Sequence, residues 1–442
     1  MQTLGKLITP GFLLRFTLPG MIMMIFNSVY TMVDGGFVSR FVGTGALSAV
    51  NIVYPAQSLV LAIGIMLATG GSAIVARQMG AGERQQARES FSLLILVGVV
   101  IGLVLDAVGA CFAKPIVQML GSNEAILQDC IRYMFWLSVF APFMILQVMF
   151  QFFFSTAGRP NLGLLSTLLG GITNMALDYV FIVVEKMGIA GAAIATGIGF
   201  LLPALLGLAY FFFLRKEAML GFVRPVFRWR TLGQACVNGS SEMVSNLAVS
   251  ITTLLFNLYM MQTVGEDGVA AITIVFYAQF LFTAMFFGYT SGAAPLLSFH
   301  YGAENQEQMK KLYRLSLLFV GIGSAAAFGA SLGLGDLVVS VFAPKGTAVF
   351  ALASHGMRLF AIGFLFMGFN IFASGFFTAL SNGKVSAILS FLRTLVFIVA
   401  AIYLLPQIWE LDGIWLSIPA AELLAAVLSA GCLIYYRKRY GY

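Results

Sequence analysis

Four carboxylates sit where a carboxylate is expensive. Asp34, Asp178, Glu242 and Glu422 each lie inside an apolar run long enough to cross a bilayer, where a charge near the centre costs ~2.5–3.5 kcal/mol on insertion scales. A residue at that depth faces protein or a water-filled cavity, and a functional role is its default reading. Asp34 ends one run, in NSVYTMVDGGF, and Asp178 lies in another, in TNMALDYVF. Asn174 precedes Asp178 by four residues, so a helix puts both on one face. Thr196, and Tyr30 one turn before Asp34, supply further oxygens at similar depth. Two carboxylates with amide and hydroxyl oxygens suit a hard cation such as Na⁺, which makes Asp34 and Asp178 the candidate metal ligands. They also suit a proton, because burial and a neighbouring like charge both favour the neutral acid. The purely structural alternative is that the two acids cap loops or pair with Arg40 and Lys186 at the interface.

The later half carries Glu242, Arg393 and Glu422 in apolar runs. A guanidinium at that depth needs a partner, and these two acids are the candidates, with Glu242 favoured. The outcome is either a static buried ion pair or a substrate-facing acid gated by Arg393 or by protonation. Pro19, with Gly20 beside it, lies inside the first run. It removes one backbone hydrogen bond and is a candidate hinge. Pro55, Pro142, Pro203, Pro295 and Pro419 interrupt other runs.

These residues need a scaffold, and composition says which. Sixty per cent of the 442 residues are apolar and 10% are charged, against about 25% charged in soluble domains. Apolar runs of ~20–30 residues without alternation specify helices rather than barrel strands. Twelve spans are expected, at about 12–37, 46–76, 91–112, 133–157, 161–184, 189–214, 233–262, 268–298, 313–334, 350–380, 385–405 and 412–436. The first is too long for the core of a cleavable signal.

The chain also repeats itself. Residues 42–86 align without a gap on 264–308, a shift of 222, with 13 of 45 positions identical. The same shift lays Gly191 on Gly413. The reading is an all-α polytopic membrane protein of two parallel six-helix lobes, 1–214 and 233–442, joined by a polar linker, 215–232. Six spans per half make the lobes parallel repeats about an axis along the membrane normal.

Eighteen basic residues fall on the side of the termini, six on the other and Arg393 within a span. That asymmetry places both termini in the cytoplasm of a multi-pass plasma-membrane protein. It also accounts for the net charge of +7 without nucleic acid. The four cysteines, Cys111, Cys130, Cys236 and Cys432, have no paired spacing and read as apolar fillers. The absence of HExxH, GxSxG and a phosphate loop disfavours an enzyme and excludes a nucleotide-driven pump within this chain. Many of the 41 Phe and 21 Met residues face lipid or neighbouring helices; Met also gives an adaptable lining.

The segments VDGGFVSRFVGTGALSAVNIVYP, GGSAIVARQMGAG, STAGRPNLG, TNMALDYVFI, GIAGAAIAT and DGIWLSIPAAELL resemble the multidrug and toxic compound extrusion (MATE) family, in detail its DinF/MepA-like branch. The resemblance covers essentially the whole chain. It implies V-shaped lobes that open alternately to each side, and export of cationic amphipathic compounds against entry of H⁺ or Na⁺, with no other cofactor. It implies that Asp34, Asn174, Asp178 and Thr196 form the cation site of the first lobe and that the first helix bends at Pro19. Glu242 stands where many members carry a seventh-helix acid. The tenth span has Asn370 and Ser374 but no acid, which argues against a cation site in the second lobe. Small cationic substrates and the bilayer are the expected partners, with the chain a monomer. The alternative function is a flippase or exporter of a lipid-linked precursor or endogenous metabolite.

Overall fold

Long apolar runs leave the backbone no partner but itself in lipid, and helices result. The computed structural model describes residues 3–213 and 220–442. The α-helices are α1 (Pro10–Phe37), α2 (Thr44–Gly80), α3 (Arg84–Cys111), α4 (Ala113–Met119), α5 (Leu127–Val139), α6 (Ala141–Thr156), α7 (Pro160–Asp178) and α8 (Gly188–Phe213) in the first half. In the second half they are α9 (Trp229–Thr263), α10 (Glu266–Gly302), α11 (Gln306–Phe342), α12 (Ala348–Ala379), α13 (Gly383–Phe391), α14 (Phe397–Leu404) and α15 (Pro406–Tyr440). Among the described residues eleven helical segments are long and apolar enough to span, and α5 and α6, bent by 53° at Phe140 just before Pro142, make twelve when counted as one broken span. Each expected span falls on one of these segments, the fourth on the bent α5–α6 pair. The short α4 was not expected.

The repeat is visible in the backbone. α2 and α10 each have 37 residues and begin and end 222 positions apart. Each is preceded by a glycine at positive φ, Gly43 (118°) and Gly265 (93°). Gly188 and Glu410, also 222 apart, both take positive φ ahead of a span. For Glu410 that conformation marks a break inside α15, so the last membrane helix proper starts at Leu411.

The apolar interior divides unevenly. On the side of the termini one continuous core draws Leu13, Leu67 and Phe150 of the first half together with Leu296, Phe299 and Phe376 of the second. On the opposite side the cores are separate. One holds Val53, Tyr133 and Ile189; the other holds Phe256, Phe364 and Trp415. Two lobes sharing a core at one end and not at the other make a V, open away from the termini.

The closed end is built from glycines, where backbones approach too closely for a side chain. A Cβ at Gly80 would lie 1.9 Å from the Phe299 carbonyl oxygen, and one at Gly302 would lie 2.0 Å from that of Arg77. These contacts exchange under the 222-residue shift, so the two-fold axis passes between Gly80 and Gly302. Gly20 likewise meets the Gly288 carbonyl and Gly70 that of Ala235. Pro19 therefore sits where α1 presses on α10.

Residues 215–219 of the expected linker lie outside the described residues. The following stretch crosses the first lobe: Val223 N–H donates to Ser92 Oγ at 3.0 Å and Arg228 pairs with Glu89 at 2.8 Å. α9 then begins at Trp229, four residues before the expected 233.

Candidate functional site

Two helices deliver the first pair of acids. Asp34 sits in the last turns of α1, and Asp178 is the final residue of α7. Each helix then passes into a π-helical segment, Val38–Val42 and Tyr179–Val184. Such segments leave a backbone carbonyl out of register and recur at functional sites. α1 and α7 pack together, which sets the two carboxyls against each other. Asp178 is fully buried, and apart from the facing Asp34 carboxyl neither of its oxygens has a hydrogen-bond partner; Asp34 Oδ1 is likewise buried with no donor. Neither acid forms an ion pair among the described residues, so Arg40 and Lys186 do not neutralise them.

Asn174 Nδ2 donates to Thr196 Oγ1 at 3.4 Å, leaving Asn174 Oδ1 buried and free. Tyr30 lies within electrostatic reach of both carboxylates, and so does the buried Tyr133 of α5. All five residues expected at a first-lobe site thus gather in one place. Their oxygens fit a hard cation or a shared proton, either of which satisfies buried acceptors that have no protein donor.

Beside this cluster lies a cavity of about 230 Å³. Tyr30, Asn174, Gln147, Gln151 and Thr167 are among its polar lining, and Asn246, Ser250, Phe280 and Phe287 close it from the second lobe. Gln151 Nε2 donates to Thr167 Oγ1 at 2.8 Å. The sequence reading missed Tyr133, Gln147 and Gln151. A signal existed for the glutamines, two amides one helical turn apart in an otherwise apolar run; for Tyr133 there was none.

The second lobe is built differently. Arg393, in the π segment Leu392–Val396, donates from Nη1 to Glu422 Oε1 at 3.0 Å. Asn370 Nδ2 donates to Glu422 Oε2 at 2.7 Å and to the Glu422 carbonyl at 2.8 Å. The favoured partner, Glu242, is therefore corrected to Glu422. Glu422 reaches Arg393 from the neighbouring α15 and is itself held by Asn370. Glu242 is half-buried near the base of the V, forms no ion pair among the described residues, and feels Arg393 only through space.

α6 and α12 end, and α7 and α13 begin, 223 positions apart, so Asn370 and Arg393 fall on Gln147 and Gly170, and the 222-residue shift that relates Gly188 to Glu410 lays Glu422 on Phe200; all three line the first-lobe cavity. The ion pair occupies the position that is hollow in the first lobe. Conversely, Asp34 falls on the buried Phe256 and Asp178 on the buried Ala401. Each lobe carries its own chemistry on a common frame.

Comparison with known proteins agrees with this geometry. The family model MatE matches residues 19–180 and again residues 243–404, once per lobe. The multidrug export protein MepA of Staphylococcus aureus is 22% identical over 427 residues, covering 97% of this chain and 93% of that protein. MepA of Staphylococcus saprophyticus is 22% identical over 431 residues with the same coverage. A solved outward-facing multidrug resistance MATE family transporter superposes with a TM-score of 0.91 at 22% identity, covering 99% of this chain and 97% of its own. A MATE structure in complex with MaL6 gives 0.92, also at 22% identity, covering 99% and 98%. With matching spans, lobes and repeat, the chain belongs to the MatE family of multi-pass membrane transporters.

Proposed function

We propose that this chain is a secondary antiporter that exports cationic amphipathic compounds in exchange for H⁺ or Na⁺ by alternating access. One observation carries the reading: three carboxylate oxygens, on Asp34 and Asp178, are buried with no donor, beside a cavity that both lobes line. A proton or a cation relieves acceptors in that state. Loading the pair lowers the negative charge next to the cavity and weakens its hold on a cationic compound. By linkage, a bound cationic compound disfavours the loaded pair to the same extent. Pro19 and Gly20 lie in α1 at the sealed α1–α10 contact, on the same helix as Asp34. A bend there would pass a change at Asp34 to the α1–α10 contact.

Two family relatives named as multidrug export proteins support the substrate class. The excess of basic residues on the side of the termini supports a cytoplasmic location for both ends, which makes the V seen here outward-facing. Inside-out vesicles holding the purified protein test the proposal. Uptake of a fluorescent cationic dye should follow an imposed H⁺ or Na⁺ gradient, each applied alone. Equal uptake with no gradient would overturn antiport. Transport of a lipid-linked substrate without dye uptake would favour the flippase.

A further inference from the structure

The face that carries the termini has a second hollow, of about 440 Å³, in the second lobe alone. Its walls are the first turns of α9, with Arg230, Gln234, Val237 and Asn238, and the α12–α13 turn, Ser381 to Lys384. Asn238 is 3% exposed. Its Oδ1 accepts from the Gly383 N–H at 2.9 Å, which fixes the amide and leaves Nδ2 as a buried donor without a partner on the wall of the hollow. Ser381 Oγ, on the same wall and at φ 59°, is also unpartnered. Arg230 and Lys384 are exposed at the rim, and neither pairs with a carboxylate among the described residues. The nine-residue α13 begins at this wall and presents its N-terminus there.

In the first lobe the corresponding place is filled. Gly158, the positive-φ residue before α7, corresponds to Ser381 before α13, and Thr3 packs on it: a Cβ at Gly158 would lie 2.9 Å from Thr3 Cβ. The N-terminal turn Thr3–Gly5 fills that place. In the second lobe the corresponding chain runs away over α3, as the Val223 and Arg228 contacts show.

We propose that this hollow binds a phosphate group, and specifically the headgroup of an anionic phospholipid. Two cations, two unpartnered donors and a helix N-terminus are the complement of a phosphate. The surroundings point to lipid rather than free phosphate. Trp229, next to Arg230 in the chain, and Phe227 are 77% and 56% exposed and in edge-to-face contact, and Val237 on the wall is 45% exposed. Exposed aromatics beside basic residues mark the level of the headgroups.

The test uses the full chain in detergent, titrated separately with dioleoylphosphatidylglycerol, dioleoylphosphatidylcholine and inorganic phosphate. Native mass spectrometry counts retained lipid, and melting temperature reports all three ligands. Two variants are compared with wild type: Arg230→Ala with Lys384→Ala, and Asn238→Asp, which keeps the acceptor for the Gly383 N–H and replaces the donor by a negative oxygen. Phosphatidylglycerol should bind saturably, and the double variant should weaken it about 30-fold, from two basic groups at a membrane surface. Asn238→Asp should weaken it as well, read from the affinity and not from the unliganded melting temperature, since a carboxylate at a 3%-exposed position carries its own folding cost. A saturable effect of inorganic phosphate alone, lost in both variants, would uphold the anion site with free phosphate as its occupant. Affinity within about threefold of wild type in both variants, or no preference for phosphatidylglycerol over phosphatidylcholine, would overturn it.

Discussion

Arg393 reaches Glu422 at 3.0 Å in a position that, one repeat earlier, is the wall of an open cavity. The pair is nearly enclosed, with side chains 14% and 5% exposed. Breaking such a pair from one side strands a buried charge and costs ~3–5 kcal/mol, whereas removing both charges costs less. Glu422→Gln alone should therefore lower the melting temperature more than Glu422→Gln combined with Arg393→Met. Thermal unfolding followed by size-exclusion chromatography measures this. Additive effects would show that the two residues are uncoupled.

Asp34→Asn and Asp178→Asn address the other lobe. Each replaces a carboxylate by a neutral amide of the same size, where buried oxygens have no donor. Folding should survive, because no ion pair is lost. Gradient-driven dye transport should fall to the level of empty vesicles while the protein remains in the membrane. Wild-type transport in both variants would remove the pair from the coupling mechanism.

The two sites differ in how far the sequence exposed them. Asp34, Asn174, Asp178, Thr196 and Tyr30 announced themselves because polar oxygens in apolar runs are few and share a depth. Helix periodicity placed Asn174 and Asp178 on one face. The choice between Glu242 and Glu422 for Arg393 was not legible, since both sit in spans at comparable depth. It depends on α12 bringing Asn370 against α15, a contact between residues 52 apart in sequence. The spans were legible from hydropathy and the lobes from the repeat. The direction of the V was not, because it lies in how glycines such as Gly80 and Gly302 meet across the lobes, and an apolar run with glycine reads the same whether or not anything presses on it.

Glu242 supplies a third test. It is half-buried near the base of the V and takes part in no ion pair among the described residues. Glu242→Gln should change thermal stability by less than ~1 kcal/mol, within the range of substitutions that break no buried network. It should raise the apparent KM for a dicationic substrate more than for a monocationic one, read from concentration-dependent uptake. An equal effect on both would place Glu242 away from the substrate path.

The glycine seal gives the last prediction. A Cβ at Gly80 or Gly302 would lie 1.9 or 2.0 Å from a carbonyl oxygen of the opposite lobe. Backbone cannot yield as a side-chain end does, so the lobes must part there. Overpacking of this kind costs ~1–3 kcal/mol. The cost falls on the state whose seam is closed, so Gly80→Ala shifts the equilibrium towards the alternative state by ~5- to 150-fold. Spin labels at Asn123 and Lys345, on the open side of the two lobes, read the shift as a shortened distance in a background lacking the four native cysteines. Gly321→Ala, where a Cβ would meet nothing within 4 Å, serves as the control. A distance unchanged in Gly80→Ala and in Gly302→Ala would mean that the seam does not set the resting conformation.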